Sequence, residues 1–79
     1  MDQITTVIAA LRELEQDTQI PKNIKTKITG TISVLEQNGE IPIKVSKALQ
    51  ELEQLTEDNN MQAYTRTQIF NIVSLLEVI

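Results

Sequence analysis

Hydrophobic residues recur at steps of three and four along four separate stretches of the chain. This spacing places them on one side of an α-helix, because an α-helix turns once every 3.6 residues or so. The pattern therefore predicts four amphipathic helices joined by short polar connections. The predicted apolar positions are Ile4, Val7, Ile8, Leu11 and Leu14 in helix 1; Ile24, Ile28, Ile32 and Leu35, with Thr31 beside them, in helix 2; Val45, Ala48, Leu49, Leu52 and Leu55 in helix 3; and Met61, Ile69, Ile72, Val73, Leu76 and Ile79 in helix 4.

The residues between these stretches predict where the helices begin. Asp2 can accept hydrogen bonds from the free backbone N–H groups that start helix 1, and Asn59 or Asn60 can do the same for helix 4. Pro21 and Pro42 suit the first turns of helices 2 and 3, where the missing N–H of proline has no partner to lose. We therefore expect helix starts at or just after these positions.

The two glycines and the single tyrosine predict local packing. Gly39 follows the last apolar position of helix 2 and ends that helix, since glycine tolerates positive φ. Gly30 lies inside helix 2, where it costs about 1 kcal/mol relative to alanine. We expect another helix to approach closely at Gly30. Tyr64 borders the apolar positions of helix 4, and we expect a buried ring whose hydroxyl reaches water.

The chain also resembles itself. Residues 26–36 match residues 67–77, and residues 11–16 match residues 49–54. Short connections make successive helices antiparallel neighbours. We predict a single all-α domain spanning residues 1–79, an antiparallel four-helix bundle built by internal duplication from two similar helical hairpins. The alternative is two stacked hairpins of the HEAT type, because such repeats also have periods of about 40 residues.

Two stretches carry a resemblance to a known family. Residues 17–25, which read DTQIPKNIK, and residues 66–77, which read RTQIFNIVSLLE, are similar to matching stretches of uncharacterised protein family 0147, a family of small archaeal proteins. The resemblance spans nearly the whole chain and rests on packing and turn motifs. It implies a four-helix bundle of unknown function in an archaeal setting. It identifies no catalytic or ligand-binding residue.

Composition narrows the chemistry available to the protein. The 79 residues include no cysteine and no histidine, which removes disulfides, thiolate nucleophiles and imidazole ligands or bases. The best carboxylate pairs are Glu13 with Asp17 and Glu53 with Glu57, and both lie off the apolar positions. We interpret them as solvated surface acids, because Glu and Asp are seldom buried without a partner. We therefore expect no catalytic, metal or cofactor site and no enzymatic activity.

Charge and hydropathy narrow the partners. The formal net charge is −4, whereas binding to nucleic acid requires a concentrated basic surface. The first residues lack the basic start and apolar stretch of a signal peptide. No apolar run approaches the ~18 residues of a membrane helix. We expect a soluble cytoplasmic protein without membrane contact.

The basic residues supply one functional hypothesis. Weak nucleic-acid or anion binding is possible where lysines stand beside the free N–H groups of a helix start. The lysines in question open helices 2 and 3, and they are Lys22, Lys25, Lys44 and Lys47. The structural alternative is charge pairing across the connections: the acidic end of helix 1 with the start of helix 2, Glu36 and Glu40 with the start of helix 3, and Glu57 and Asp58 with Arg66.

A few apolar residues point away from the predicted core and supply the leading hypothesis. Phe70, the only phenylalanine, lies far from the centre of the apolar positions of its helix, with Ala63 near the same side and Val78 on the flank. Ile43 is similarly opposed to those of helix 3. An outward aromatic residue is a reasonable anchor for another chain. We predict a non-enzymatic interaction or scaffold module that binds an unidentified protein or itself, as a homodimer.

Overall fold

Four α-helices make up most of the protein. The computed structural model describes residues 2–79, and none of these residues forms a strand. The helices are α1 (Gln3–Glu15), α2 (Lys22–Glu36), α3 (Ile41–Leu55) and α4 (Ala63–Glu77). The all-α fold class is confirmed. None of the four helices has the length and apolar character needed to cross a bilayer.

Each helix packs against two others. In the described residues α1 and α3 both contact α2 and α4, whereas neither α1 with α3 nor α2 with α4 is in contact. Glu15 bonds to Thr29 of α2, and Arg12, one turn earlier in α1, pairs with Glu36 near the other end of α2. A step back along α1, from Glu15 to Arg12, thus corresponds to a step forward along α2, from Thr29 to Glu36. This opposite direction of the two helices is consistent with an antiparallel bundle. Stacked hairpins of the HEAT type would instead place α1 against α3.

The predicted apolar positions form one core. Leu11, Ile28, Leu52 and Leu76 represent the four helices in it, and each has 3% or less of its surface exposed. Ile4, Ile8 and Leu49 are half-buried at its margin. The predicted core position of Ile79 is wrong, since this residue is 40% exposed. The helix ends at Glu77, so helical periodicity no longer directs residue 79 toward the core.

The two ends of the bundle are built differently. At one end, the α1–α2 and α3–α4 connections insert Ile20 and Met61 into the core, where they are 5% and 6% exposed. Arg66 holds the second connection by donating to the carbonyl oxygens of Thr56 and Asp58 at 3.1 and 3.0 Å. At the other end, residues 37–40 between α2 and α3 are all exposed. The end that contains residues 37–40 is here called the open end, since this connection inserts no side chain into the core.

The helix starts follow the prediction except in α4. α2 begins directly after Pro21, and α3 carries Pro42 in its first turn. The cap predicted at Asn59 or Asn60 is wrong, since α4 begins at Ala63 and no side chain caps it. The Asp58 carboxylate instead accepts from the Asn60 backbone N–H at 2.8 Å, which holds the asparagines in the preceding turn.

The cap predicted at Asp2 is confirmed. Its carboxylate accepts from the backbone N–H of Thr5 at 2.8 Å and from the Thr5 hydroxyl at 3.1 Å. The bond from the Thr5 N–H is the main cause that lowers the pKa of the Asp2 carboxyl below its usual value. A carboxyl with a lowered pKa in the folded state stabilises that state above its unfolded pKa and loses this effect as the pH falls.

We expect this cap to make stability depend on pH in the acidic range. Asp2→Asn keeps a capping side chain but cannot titrate. The melting temperature of the wild type should exceed that of Asp2→Asn near pH 5, and the difference should shrink as the pH falls through about 4 toward 3. Thermal unfolding followed by circular dichroism measures both proteins. A difference that stays constant with pH would show that the Asp2 charge does not stabilise α1.

The predicted close approach at Gly30 is wrong. A Cβ built on Gly30 meets no heavy atom within 4 Å, because this position lies on the exposed side of α2, away from both neighbouring helices. Gly39 has the positive φ predicted for it, +153°, but α2 already ends at Glu36, where the extended Gln37 is the C-cap. The two glycines therefore have opposite roles, one dispensable and one required by the backbone.

Gly30→Ala should raise the free energy of unfolding by about 0.5–1 kcal/mol, because alanine loses less backbone entropy in a helix and its methyl group meets no neighbour here. Urea unfolding of the two proteins gives the difference. Gly39→Ala is the matched control and should instead destabilise the protein, since residues with a Cβ rarely adopt a φ of this kind. A destabilised Gly30→Ala variant would contradict the open space seen at that position.

The charge pairs predicted across the connections do not form. The ion pairs within residues 2–79 join Arg12 to Glu36 and Lys27 to Glu51. Arg66 reaches backbone carbonyl oxygens and no carboxylate. The offset of α2 relative to α1 along the bundle explains why no charge pair forms at the first connection. Glu15, the last residue of α1, lies beside Thr29, so the start of α2 extends about 10 Å past the acidic end of α1.

Candidate interaction surface on helix α4

The solvent-exposed side of α4 carries no charge over most of its length. The eight exposed and uncharged residues between positions 63 and 78 are here called the α4 outer face. They are Ala63, Tyr64, Thr67, Phe70, Asn71, Ser74, Leu75 and Val78. Each of the other helices exposes at least two charged residues: Arg12 and Glu13 in α1, Lys22 and Lys27 in α2, Lys47 and Glu53 in α3. The α4 outer face is therefore unlike the rest of the surface.

The buried side of α4 determines which residues face outward. Ile69, Ile72 and Leu76 are 0–3% exposed and fix the core side of the helix. Phe70 follows Ile69 and is turned from it by about 100°, which leaves its ring 50% exposed. Of the two charged residues of α4, Arg66 bonds to the preceding connection, whereas Glu77 is exposed seven residues after Phe70, on the same side at the C-terminal end of the outer face.

The four residues predicted for an interface are all exposed, and the structure brings three of them together. Ala63, Phe70 and Val78 are spaced by seven and eight residues, so they lie on one side of α4. Ile43 lies in the first turn of α3 and is 54% exposed. Because α3 and α4 run antiparallel, Ile43 lies at the same end of the bundle as Val78, but on the neighbouring helix.

Sequence reasoning missed two members of this surface. Leu75 is 41% exposed although it sits in the densest apolar stretch of the chain. Tyr64 was expected to bury its ring and is 66% exposed. It stands in the first turn of α4, at the rim of a groove between α1 and α4, where no neighbouring element covers it. The signal that identifies Leu75 is its angle on the helix, since it precedes the buried Leu76 by one residue and is turned from it by about 100°.

That groove also contains one of the two carboxylate pairs. It has a volume of about 220 Å³ and is lined by Ala10, Glu13, Leu14, Asp17, Tyr64, Gln68 and Ile72. Glu13 and Asp17 share its rim, and no third acidic side chain joins them. Across residues 2–79 there is no group of three His, Cys, Asp or Glu residues that could hold a metal ion.

A second groove lies at the open end of the bundle. It has a volume of about 430 Å³ and is lined by Asp2, Gln3, Ile4, Thr5, Ile41, Lys44 and Ile79. Ile41 and Ile79 are 49% and 40% exposed there. This groove adds apolar surface next to Ile43 and Val78.

The four lysines proposed as an anion contact do not converge. Lys22 and Lys25 open α2, whereas Lys44 and Lys47 open α3. Since α2 and α3 are antiparallel neighbours, the two pairs lie at opposite ends of the bundle, about 20 Å apart along the helices. Lys44 moreover donates to the carbonyl oxygen of Gln37 at 3.2 Å. The lysines therefore form two separate pairs and no single basic patch.

Comparison with known proteins agrees with this architecture. A crystal structure of a protein of unknown function, MMP1188, superposes with a TM-score of 0.93 and 35% sequence identity, covering 99% of this chain and 90% of that chain. A UPF0147 protein of Sulfurisphaera tokodaii is 34% identical over 77 residues, which is 96% of this chain and 86% of the relative. The UPF0147 protein PF0239 of Pyrococcus furiosus is 35% identical over 80 residues, covering 99% and 86% respectively.

The family assignment rests on the whole chain. The model of the uncharacterised protein family UPF0147 matches residues 1–79. The resemblance carried by residues 17–25 and 66–77 is thereby confirmed, together with the archaeal origin of the relatives. The chain belongs to the uncharacterised protein family UPF0147.

Proposed function

We propose that this protein is a non-enzymatic, cytoplasmic interaction module that binds another protein chain through the α4 outer face. The observation that carries the proposal is the cluster of exposed large apolar side chains on this face, where Tyr64, Phe70, Leu75 and Val78 are 41–70% exposed. Glu77, in the last turn, is the one exposed charge of α4, in a protein of which 23% of residues are charged. The buried centres of protein interfaces are depleted in charged residues and enriched in aromatic ones. The α4 outer face has both properties.

Phe70 is the anchor expected of such a surface. Aromatic residues dominate the energetics of interfaces and bury 150–250 Å² or so when fully enclosed. Phe70 is already half-buried against its own chain, which fixes its position before a partner arrives. Enclosing the remaining half would remove about 100 Å² from water and contribute about 2–3 kcal/mol to binding.

The polar groups of the bundle also favour binding over catalysis. Every buried side-chain nitrogen or oxygen in residues 2–79 has a hydrogen-bond partner within the protein. The hydroxyl of Thr31, the most deeply buried polar residue, donates a hydrogen bond to the Lys27 carbonyl oxygen at 2.9 Å. The fully enclosed polar atoms of the core are thus committed to bonds within the fold, whereas Phe70, Leu75 and Val78 present apolar surface to solvent.

A photo-crosslinking amino acid at position 70 tests the proposal directly. Incorporated in place of Phe70, it should give crosslinked products in an extract of the source cells after irradiation, whereas the same residue in place of Ser33 should give none. Ser33 is the matched control because it is exposed on α2, away from the α4 outer face. Mass spectrometry identifies the captured chain. Equal yields at both positions, or none at position 70, would refute the proposal.

A further inference from the structure

We propose that the chain bound by the α4 outer face is a second copy of this protein, and that the two α4 helices pack antiparallel across a two-fold axis beside Phe70. The inference rests on the function proposed above and names its partner. It follows from three features of the described residues: the distribution of charge, the position of Phe70 within α4, and the sizes of the side chains on either side of it.

Charge leaves one region of this surface suited to self-association. The protein carries 11 acidic and 7 basic residues, so two copies repel each other at long range. A contact through α1, α2 or α3 would also place exposed charged side chains of each copy in a shared interface, where like charges in proximity are costly. The exposed side of α4 limits this local repulsion, because its one exposed charge, Glu77, lies at the end of the helix. In an antiparallel pair Glu77 meets the start of the other α4, which has no acidic residue in its first turn, and not its own image.

The position of Phe70 suits a symmetric contact. In a two-fold dimer the same surface of both chains meets, so residues equidistant from the axis face each other. Phe70 is the eighth of the 15 residues of α4 and has seven helical residues on either side. A two-fold axis at the middle of α4 therefore brings Phe70 of one copy against Phe70 of the other, a pairing that aromatic rings favour.

The remaining residues of the face match across the same axis. Thr67 lies three residues before Phe70 and Ser74 four residues after it, so each falls beside the other in the second copy. These small side chains allow two helices to approach to about 8–10 Å. Ala63, seven residues before Phe70, falls opposite Glu77 of the second copy, with the 70% exposed Val78 beside it. This register covers Phe70 and Val78 and pairs small residues with small in the middle of the helix.

The size of this contact sets its strength. An interface made by one helix from each copy falls at the small end of the range, below about 1,200 Å² of buried surface in total, where complexes are weak and reversible. We therefore expect a dimer that forms in the micromolar range and dissociates on dilution, with no effect of reducing agents because the chain has no cysteine.

Sedimentation over protein concentrations from about 1 µM to about 1 mM tests the association. The wild type should shift from its monomer mass of 8.9 kDa to twice that value. Phe70→Glu, which places a charge beside its own image, should raise the dissociation constant at least about tenfold. Ser33→Glu makes a charge change of the same sign on α2 and should leave the dissociation constant within about twofold. Equal circular dichroism and melting curves establish that all three proteins are folded.

Thiols on either side of Phe70 test the register and leave the anchor in place. Thr67→Cys and Ser74→Cys each have a single thiol, and two thiols join only when their Cβ atoms come within about 4.5 Å. Under mild oxidation an equimolar mixture of Thr67→Cys and Ser74→Cys should form the mixed disulfide at least about tenfold faster than a mixture of Thr67→Cys and Ser33→Cys, as expected for a docked rather than a random encounter. A monomeric wild type, a dimer insensitive to Phe70→Glu, or equal rates for the two mixtures would overturn the inference. In that event photo-crosslinks from position 70 to a different protein would still support the proposed function, and their absence would remove both.

Discussion

Replacing Leu76 by alanine is expected to lower the free energy of unfolding by about 2–5 kcal/mol. Leu76 has no exposed surface and packs within the single core formed by all four helices. Its truncation removes apolar contacts and leaves a cavity that the rigid helices cannot close completely. A domain of this length has a net stability of only a few kcal/mol, so the variant should be largely or partly unfolded at room temperature. Urea unfolding followed by circular dichroism measures the loss.

The neighbouring residue supplies the control. Leu75→Ala removes the same atoms from the same helix, but Leu75 is 41% exposed and belongs to the α4 outer face. We expect a loss of about 1 kcal/mol or less, since a large part of the removed surface already contacts water. Equal losses for Leu75→Ala and Leu76→Ala would show that α4 is rotated from the orientation described here.

The second large effect is expected at Ile20, in the connection between α1 and α2. Ile20→Ala should lower the free energy of unfolding by about 2 kcal/mol or more, because Ile20 is only 5% exposed and covers the end of the core together with Met61. A connection adjusts more easily than a helix, so the loss should lie near the lower limit of the range for core residues. Thermal and urea unfolding measure it.

Thr18→Ala tests whether the effect belongs to burial or to the connection itself. Thr18 lies two residues before Ile20, is exposed, and uses no side-chain atom in a hydrogen bond of the described structure. We expect a change within about 0.5 kcal/mol, as for most surface substitutions. A loss at Thr18 as large as that at Ile20 would indicate that the turn conformation, and not the apolar contact, stabilises this end.

The core could be predicted because helical periodicity alone determines which side of each helix is buried. The self-similar stretches illustrate this. Ile28 and Ile69 occupy equivalent positions in them and are both fully buried, and Leu35 and Leu76 are buried to 1% and 0% exposure. The repeated pattern thus gives a repeated environment. The origin of the two hairpins by duplication stays a prediction.

The features that could not be predicted depend on how one helix is placed along another. The close approach expected at Gly30 required a neighbour on a side of α2 that faces solvent. The buried ring expected for Tyr64 required α1 to extend over the first turn of α4. The pattern of a single helix contains no information on these offsets, because they arise from the connections and from packing between different helices.

Only part of the candidate surface could be predicted from the sequence, because the pattern of one helix determines side-chain angles but not contacts with other elements. The outward position of Phe70 follows from its angle to Ile69, which the sequence supplies. The low charge around Phe70 depends on Arg66, whose guanidinium is turned toward the carbonyl oxygens of Thr56 and Asp58. From the sequence alone, Arg66 counts as one more surface charge on α4. Its hydrogen bonds to the connection remove it from the α4 outer face.

The unequal closure of the bundle ends has a consequence for the order in which the molecule opens. Local unfolding proceeds most easily where few apolar contacts hold the backbone. Ile20 and Met61 are buried at the end that contains the α1–α2 and α3–α4 connections, whereas residues 37–40 at the opposite end are all exposed. Amide hydrogens in the last turn of α2 and the first turn of α3 should therefore exchange with solvent faster than the amide hydrogens that flank Met61, because smaller and more frequent fluctuations expose them. Fraying of the helices should begin at these two turns.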